Sequence, residues 1–210
     1  MGRLYVHALT DKRVRAWHAR GCRIESVAVG TIYAVCERRS AAPVLSEEEL
    51  RHQHSIVIKI AGHVPSVLPA RFGSLVDEQE LSTIVRQRAS AIDEAMALVR
   101  GKVQMTVRVR VERAAAKAPV ARPTSGTQYL EAKRREVSPL LPPGIEAGLK
   151  RVAGHVVRER RQATPAGSVA VYHLVHRQDA DAYRSALDGI DGATVSGPWP
   201  PFAFVPELWS

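Results

Sequence analysis

DEQELSTIVRQRASAIDEAMALVRGKVQMTVRVRVE, residues 77–112, carries two hydrophobic periods back to back. In the first half Asp77 and Glu80 stand three apart as a capping pair. Leu81, Ile84, Val85, Ile92, Met96 and Val99 then hold a 3.6-residue period up to Gly101, so the spacing predicts one long helix. In the second half Val103, Met105, Val107, Val109 and Val111 alternate with Lys102, Gln104, Thr106, Arg108 and Arg110. Strict alternation over that length predicts a strand with one face in a core and the other in water. A helix running directly into a half-buried strand points to a mixed α and β domain rather than a bundle or a sandwich.

Upstream, SVLPARFGSLV (66–76) has strand composition interrupted by Pro69 and Gly73, which suits an edge or bent strand. SEEEL places Ser46 three residues before Glu49 at the start of an apolar stripe, so a helix is expected from Ser46. Its stripe of Leu50, His54, Val57, Ala61 and Val64 puts His54 on the core-facing side. RLYVHAL (3–9) reads as a first strand, and two runs within 24–36 read as a hairpin. Residues 1–113 are therefore expected to form an N-terminal ferredoxin-like domain of order β-β-β-α-β-α-β, with its helices on one face of the sheet.

Downstream, AAAKAPVARPTSG (114–126) has linker composition. TQYLEAKRREV and GIEAGLKRVAGHVVRERRQA read as basic helices across 127–162, separated by SPLLPPG. SVAVYHLVH (168–176) is a strand, and DADAYRSALDGI is a helix capped by Asp179, with Tyr183, Ala186, Leu187 and Ile190 on one face. ATVSGPWPPFAFV closes the chain as a strand containing a turn. Residues 127–210 are expected to form a smaller C-terminal modified ferredoxin-like α+β unit with a helical insert. The fold class is α+β with two domains.

Forty-five percent hydrophobic and 24% charged residues over 210 positions describe a globular chain. No apolar run reaches the roughly 20 residues of a membrane span. The N-terminus lacks the pattern of a secretory signal, which predicts a cytoplasmic protein. Cys22 and Cys36 are too few for a disulfide framework and are expected to be buried thiols. The formal charge is +9, and residues 100–162 account for the excess, with 15 Lys or Arg against 5 Asp or Glu. A basic segment raises nucleic acid as a partner. It has a single aromatic residue, Tyr129, and no RNA- or zinc-binding signature, so a solvated basic face is the preferred reading. A nucleic-acid-binding module using helices 127–162 stands as the alternative.

Phosphate-cradling, nucleophile-elbow and zincin patterns are all absent. His52 and His54 would point about 200° apart on a helix, and His173 and His176 lie on opposite faces of a strand, so neither pair makes a metal site. Glu47, Glu48 and Glu49 suit the positive end of a helix. No catalytic, cofactor or metal residues are assigned.

Several segments in register are similar to one family. LPARFGSLV (68–76), GKVQMTVRVRV (101–111), SGTQYLEAKRRE (125–136), VYHLV (171–175) and the closing SGPWPPFAFV (196–205) together resemble the gas vesicle GvpL/GvpF family, whose short first strand RLYVHAL also resembles. The resemblance implies a two-domain α+β accessory protein without catalytic activity. Such a protein is required for gas vesicle assembly and binds the main shell protein and other accessory proteins during nucleation. Neither a membrane nor a small-molecule substrate is implied. Arg71 and Phe72 of LPARFG, and Trp199 and Phe202 of GPWPPF, are the candidate partner-binding residues. Strand addition at the Pro69-containing segment is one route. For Arg71 the competing reading is an internal ion pair. For the terminal aromatics it is a clasp over the second core or the domain junction.

Overall fold

The computed structural model describes residues 2–110, 141–163 and 167–208. The linker 114–126 and the first of the two basic helices expected from sequence lie outside them. The chain divides into two compact units, one of residues 1–102 with 199–210 and one of residues 103–198.

The first unit is built on β1 (Arg3–Thr10), β2 (Trp17–Ala19), β3 (Cys22–Val29), β4 (Ile32–Arg39), α1 (Glu47–Ala61), β5 (Val67–Pro69), β6 (Leu75–Val76), α2 (Glu78–Gln87) and α3 (Ala89–Val99). Its sheet runs β2-β3-β4-β1-β5, with β6 also paired to β1. The segment read as a bent edge strand is two short strands, both antiparallel to β1. Residues 70–74 loop out between them, and Gly73 has φ +87°.

β1 is buried along almost its whole length. Leu4, Val6 and Leu9 point into a core with Leu81, Val85, Ile92, Met96 and Val99 of α2 and α3. Ala8 joins Ile56 and Ile60 of α1 in another core, and Tyr5 bonds to α1. Helices therefore cover both faces of this sheet, not one. The cause is legible in RLYVHALT itself, whose near-continuous apolar run is the pattern of a strand covered on both sides.

Two helix expectations change in detail. Asp77 and Glu80 form the reciprocal capping box, but the helix breaks at Arg88 into α2 and α3. In α1 the Ser46 hydroxyl accepts from the Glu49 amide as expected. Its buried residues are His52, Gln53, Ile56, Val57 and Ile60, while Leu50 is exposed and His54 is only half-buried. The core-facing stripe is thus rotated away from the one read by hydrophobicity.

The second unit contains β7 (Lys102–Arg110), α4 (Pro143–Arg151), β8 (Val156–Ala163), β9 (Ser168–His176), α5 (Ala180–Ala186) and most of β10 (Ala193–Trp199), in the order β10-β7-β9-β8. Its core unites the odd-numbered residues of β7 with Ile145, Leu149, Val171, Tyr183 and Leu187. The alternating strand of the opening stretch therefore belongs to this sheet and not to that of the helices before it. Its polar face is not wet throughout: Gln104 and Thr106 are buried and hydrogen-bonded to each other at 3.2 Å. VVRERRQA, read as helix, is the edge strand β8, paired with β9 from Val156 to Ala163. At the start of α5, Asp179 makes no side-chain capping bond.

Gly197 fixes the closure of this sheet. It has φ +125°, and a Cβ there would stand 2.8 Å from the Gln104 carbonyl oxygen and 2.9 Å from the Met105 sulfur. Only glycine fits that backbone at that distance. Gly197→Ala is expected to cost the second unit about 3 kcal/mol from backbone strain and overpacking. Chemical denaturation checks this, since an unchanged midpoint would contradict the assignment.

Candidate interaction surface

The four sequence-nominated residues fall into two pairs, both in the first unit. Arg71 and Phe72 lie in the loop between β5 and β6. A polar chain behind that loop fixes it: the Tyr5 hydroxyl donates to Gln53 Oε1 at 2.5 Å, and Gln53 Nε2 donates to the Ala70 carbonyl at 3.0 Å. Phe72 packs edge-on to the Tyr5 ring, with centroids 6.4 Å apart. Arg71 is largely exposed and approaches Glu207 at 4.0 Å, a separation that contributes little at a surface.

Trp199 and Phe202 meet on α1. The His54 ring lies 5.5 Å from Phe202 in a stacked arrangement and 5.4 Å from Trp199 at a tilt. Beyond them Leu208 enters the core beneath α2 and α3, with Phe204 and Val205 against it. The terminal segment thus clasps the first unit's own core, in place of the second core considered from sequence. Phe202 itself stays 38% exposed.

Around Phe202 the surface is apolar. Leu50, His54 and Ile58 are spaced by four on one helical face, and Leu50 and Ile58 are 44% and 42% exposed. Val44 and Leu45, just before the helix, are 84% and 69% exposed. Sequence reading missed this ridge because it assigned Leu50 to the core. On the other side of the sheet, a cleft of about 550 Å³ lies between β6 and α2, lined by Arg3, Leu75, Val76, Thr83 and Ile84 among others.

Two buried polar networks brace the units. In the first, Glu37 is fully buried beside His7 Nε2 at 3.6 Å, and Arg39 Nε donates to it at 2.5 Å. Burial opposes ionisation of Glu37, but His7 and Arg39 outweigh it and hold the carboxyl below its usual range. Arg39 also lies over the Tyr5 ring and reaches Glu49 on α1. In the second unit the buried His173 stands between the Tyr183 hydroxyl, 2.7 Å from Nδ1, and Glu159, 2.8 Å from Nε2. A neutral ring donating from Nε2 to the carboxylate and accepting from the tyrosine satisfies all three groups. Arg161 links Glu159 to Glu146. Burial pushes the Cys36 thiol up to about 12.

Both networks bridge elements of their own unit: β1, β4 and α1 in the first, β8, β9, α4 and α5 in the second. Among the described residues no group of three His, Cys, Asp or Glu is placed to hold a metal ion, and no helix is long and apolar enough to cross a membrane.

The His173 network sets an acid limit. Burial lowers the pKa of His173 against the pull of Glu159. Burial raises that of Glu159, but its bonds to Arg161 and His173 bring it below the ordinary value. Both folded values lie below the unfolded ones, so each group supplies stability above its unfolded pKa that is lost as pH falls. The second unit is expected to weaken as pH falls below about 6.5, and again below about 4.5. His173→Gln should flatten the first of these losses in melting curves taken across pH; an identical pH profile would contradict the assignment.

Comparison with known proteins places the chain. The family described as gas vesicle synthesis protein GvpL/GvpF matches residues 3–164. A comparison with curated protein sequences gives no match. Among solved structures, the gas vesicle protein GvpF from Anabaena sp. PCC7120 is similar over 98% of this chain and 99% of its own, with a TM-score of 0.73 at 10% identity. GvpF from Microcystis aeruginosa is similar over 97% and 99%, with a TM-score of 0.74 at 10% identity. At that identity the structural likeness establishes the α+β fold.

Proposed function

Because the chain belongs to the GvpL/GvpF family of gas vesicle synthesis proteins, we propose that it is an accessory protein of gas vesicle assembly. In this reading it binds the main shell protein, and other accessory proteins, during nucleation and performs no chemistry itself. Its second unit, whose described elements follow the order β-α-β-β-α-β with strands arranged β10-β7-β9-β8, is read as a modified ferredoxin-like domain.

The observation that carries the binding role is the exposed apolar ridge of Val44, Leu45, Leu50, Ile58 and Phe202. The main shell protein of a gas vesicle is small and very apolar, and an unassembled subunit needs its hydrophobic surface covered to escape aggregation. A ridge held rigid by α1 and by the clasped C-terminal segment supplies such cover at little ordering cost. Phe202 is the aromatic anchor in this reading, Trp199 and Phe72 back the surface, and Arg71 offers a guanidinium to a partner carboxylate.

A nucleic-acid role for 127–162 has less support. Residues 156–163 are an edge strand rather than a basic helix, and there Arg161 is tied to Glu146 and Glu159.

Purified shell protein and a capture assay test the proposal. Leu45→Ser with Leu50→Ser is expected to reduce shell-protein capture about tenfold or more while melting stays near the parent, since both side chains are substantially exposed. Trp199→Ala should instead lower stability, because it removes part of the clasp. Undiminished capture by the double variant would remove the ridge from the proposal. Failure of the parent protein to capture any gas vesicle protein would remove the proposal itself.

A further inference from the structure

VVRERRQA, residues 156–163, forms β8, the outer strand of the second unit's sheet, and among the described residues it pairs only with β9. The register shifts between Val156 and Arg158, so Val157 is the extra residue of a bulge. From Arg158 to Ala163 the ladder to β9 is regular over about 20 Å. Charge divides between the two faces of this stretch. On one face Glu159 stands opposite His173 and Arg161 opposite Val171. There Glu159 bonds to His173 and Arg161 pairs with Glu159 and with Glu146 of α4, so those charges are engaged within the unit.

The other face is cationic. Arg158, Arg160 and Gln162 stand opposite Leu174, Tyr172 and Ala170, none of which carries a charge, and both arginines are exposed. The odd-numbered residues of β7 and β9 pack in the core with Ile145 of α4 and Tyr183 of α5. Arg108 and Arg110 of β7 therefore project to the same side as Arg158 and Arg160, away from those helices, and they too are exposed. Arg108, Arg110 and Arg158 make no ion pair among the described residues. No residue of β7, β8 or β9 on this side is a carboxylate.

We infer that β8 is a docking edge for an extended protein segment with carboxylates at alternate positions, which adds as a strand beside Arg158–Ala163 and sets those carboxylates against Arg158 and Arg160. Charge complementarity selects the occupant, because cross-strand neighbours of opposite charge attract and those of like charge repel. The residues between the carboxylates face Glu159 and Arg161, whose charges are already engaged, so uncharged side chains suit those positions. A second copy laying its own β8 antiparallel would bring the arginines of both chains onto one face, which opposes self-pairing. Arg108 and Arg110 lie about 14 Å from an added strand, at the usual strand spacing, and add to the positive field without touching it. An added polypeptide also uses the outward N–H and C=O groups of an edge strand, which a nucleic acid would leave unused. This edge belongs to the second unit and does not depend on the shell-protein reading of the ridge on α1.

A fluorescein-labelled short peptide of alternating Glu and Thr is the probe, read by anisotropy against the intact protein. The expected result is saturable binding that weakens as salt rises, with a loss of about tenfold or more in Arg158→Glu/Arg160→Glu. Arg158→Gln/Arg160→Gln removes the charge without reversing it and should lose affinity in the same direction, which keeps the test valid if the reversal lowers the melting temperature. Two further probes of the same charge separate strand addition from simple attraction. One has every Thr changed to Pro and cannot pair, and it should bind about tenfold more weakly. The other groups its Glu residues in one block, which puts half of them on the Glu159 face, and it should also bind more weakly. Equal binding of either control probe, tighter binding of a single-stranded oligonucleotide, or unchanged affinity in the arginine variants would each overturn the inference.

Discussion

The first unit depends on one constraint: β1 is covered on both faces, and one of those faces is polar. Tyr5 and His7 of β1 and Glu37 of β4 have no access to water. A charged carboxylate in that position is tolerable only if the protein supplies its hydrogen bonds and countercharge. Arg39 supplies Glu37 with both a charge and a hydrogen bond, and Gln53 satisfies Tyr5 and then Ala70. Meeting this requirement fixes which face α1 turns to the sheet and where the loop before β6 stands. The orientation of α1 in turn decides which of its apolar side chains are left outside.

The same constraint separates what could be read in the sequence from what could not. Local chemistry was legible: the Ser46 and Asp77 caps, the β3–β4 hairpin and the break between β5 and β6 appear where propensity and turn residues put them. The face of α1 was not, because hydrophobic counting assumes an apolar surface opposite the helix. Here the opposing surface includes Tyr5, Glu37 and Arg39, so the polar His52 and Gln53 turn inward and Leu50 turns outward. Leu50, His54 and Val57 hold the helical period by spacing alone, but of the three only Val57 is buried.

Non-local pairing accounts for the other differences. Alternation in 102–110 identifies a strand but carries no information about which sheet receives it, and β7 joins β9 and β10 instead of the strands that precede it. In β8, nearly every residue is at least partly exposed, so the apolar alternation that marks a strand is missing and its charges resemble those of a basic helix. Of the partner-binding residues proposed from sequence, Phe202 was legible as an aromatic in a proline-stiffened segment. Its apolar neighbours Leu50 and Ile58 became visible only once the face of α1 was known.

Charge behaves in the same way. Counted along the chain, the excess lies in 100–162, and residues 12–23 are lost in a near-balanced remainder. In space the weighting shifts, because a cation matters to a partner only after its internal carboxylates are subtracted. Arg161 is held by Glu146 and Glu159, and Arg100 by Asp11, so part of the conspicuous excess is already engaged. Lys12, Arg13 and Arg15 keep theirs because Asp11 turns to Arg100 and Ser66. The pairing that ties Arg100 to the end of β1 is therefore also what leaves the neighbouring Lys12 and Arg13 without an internal countercharge among the described residues.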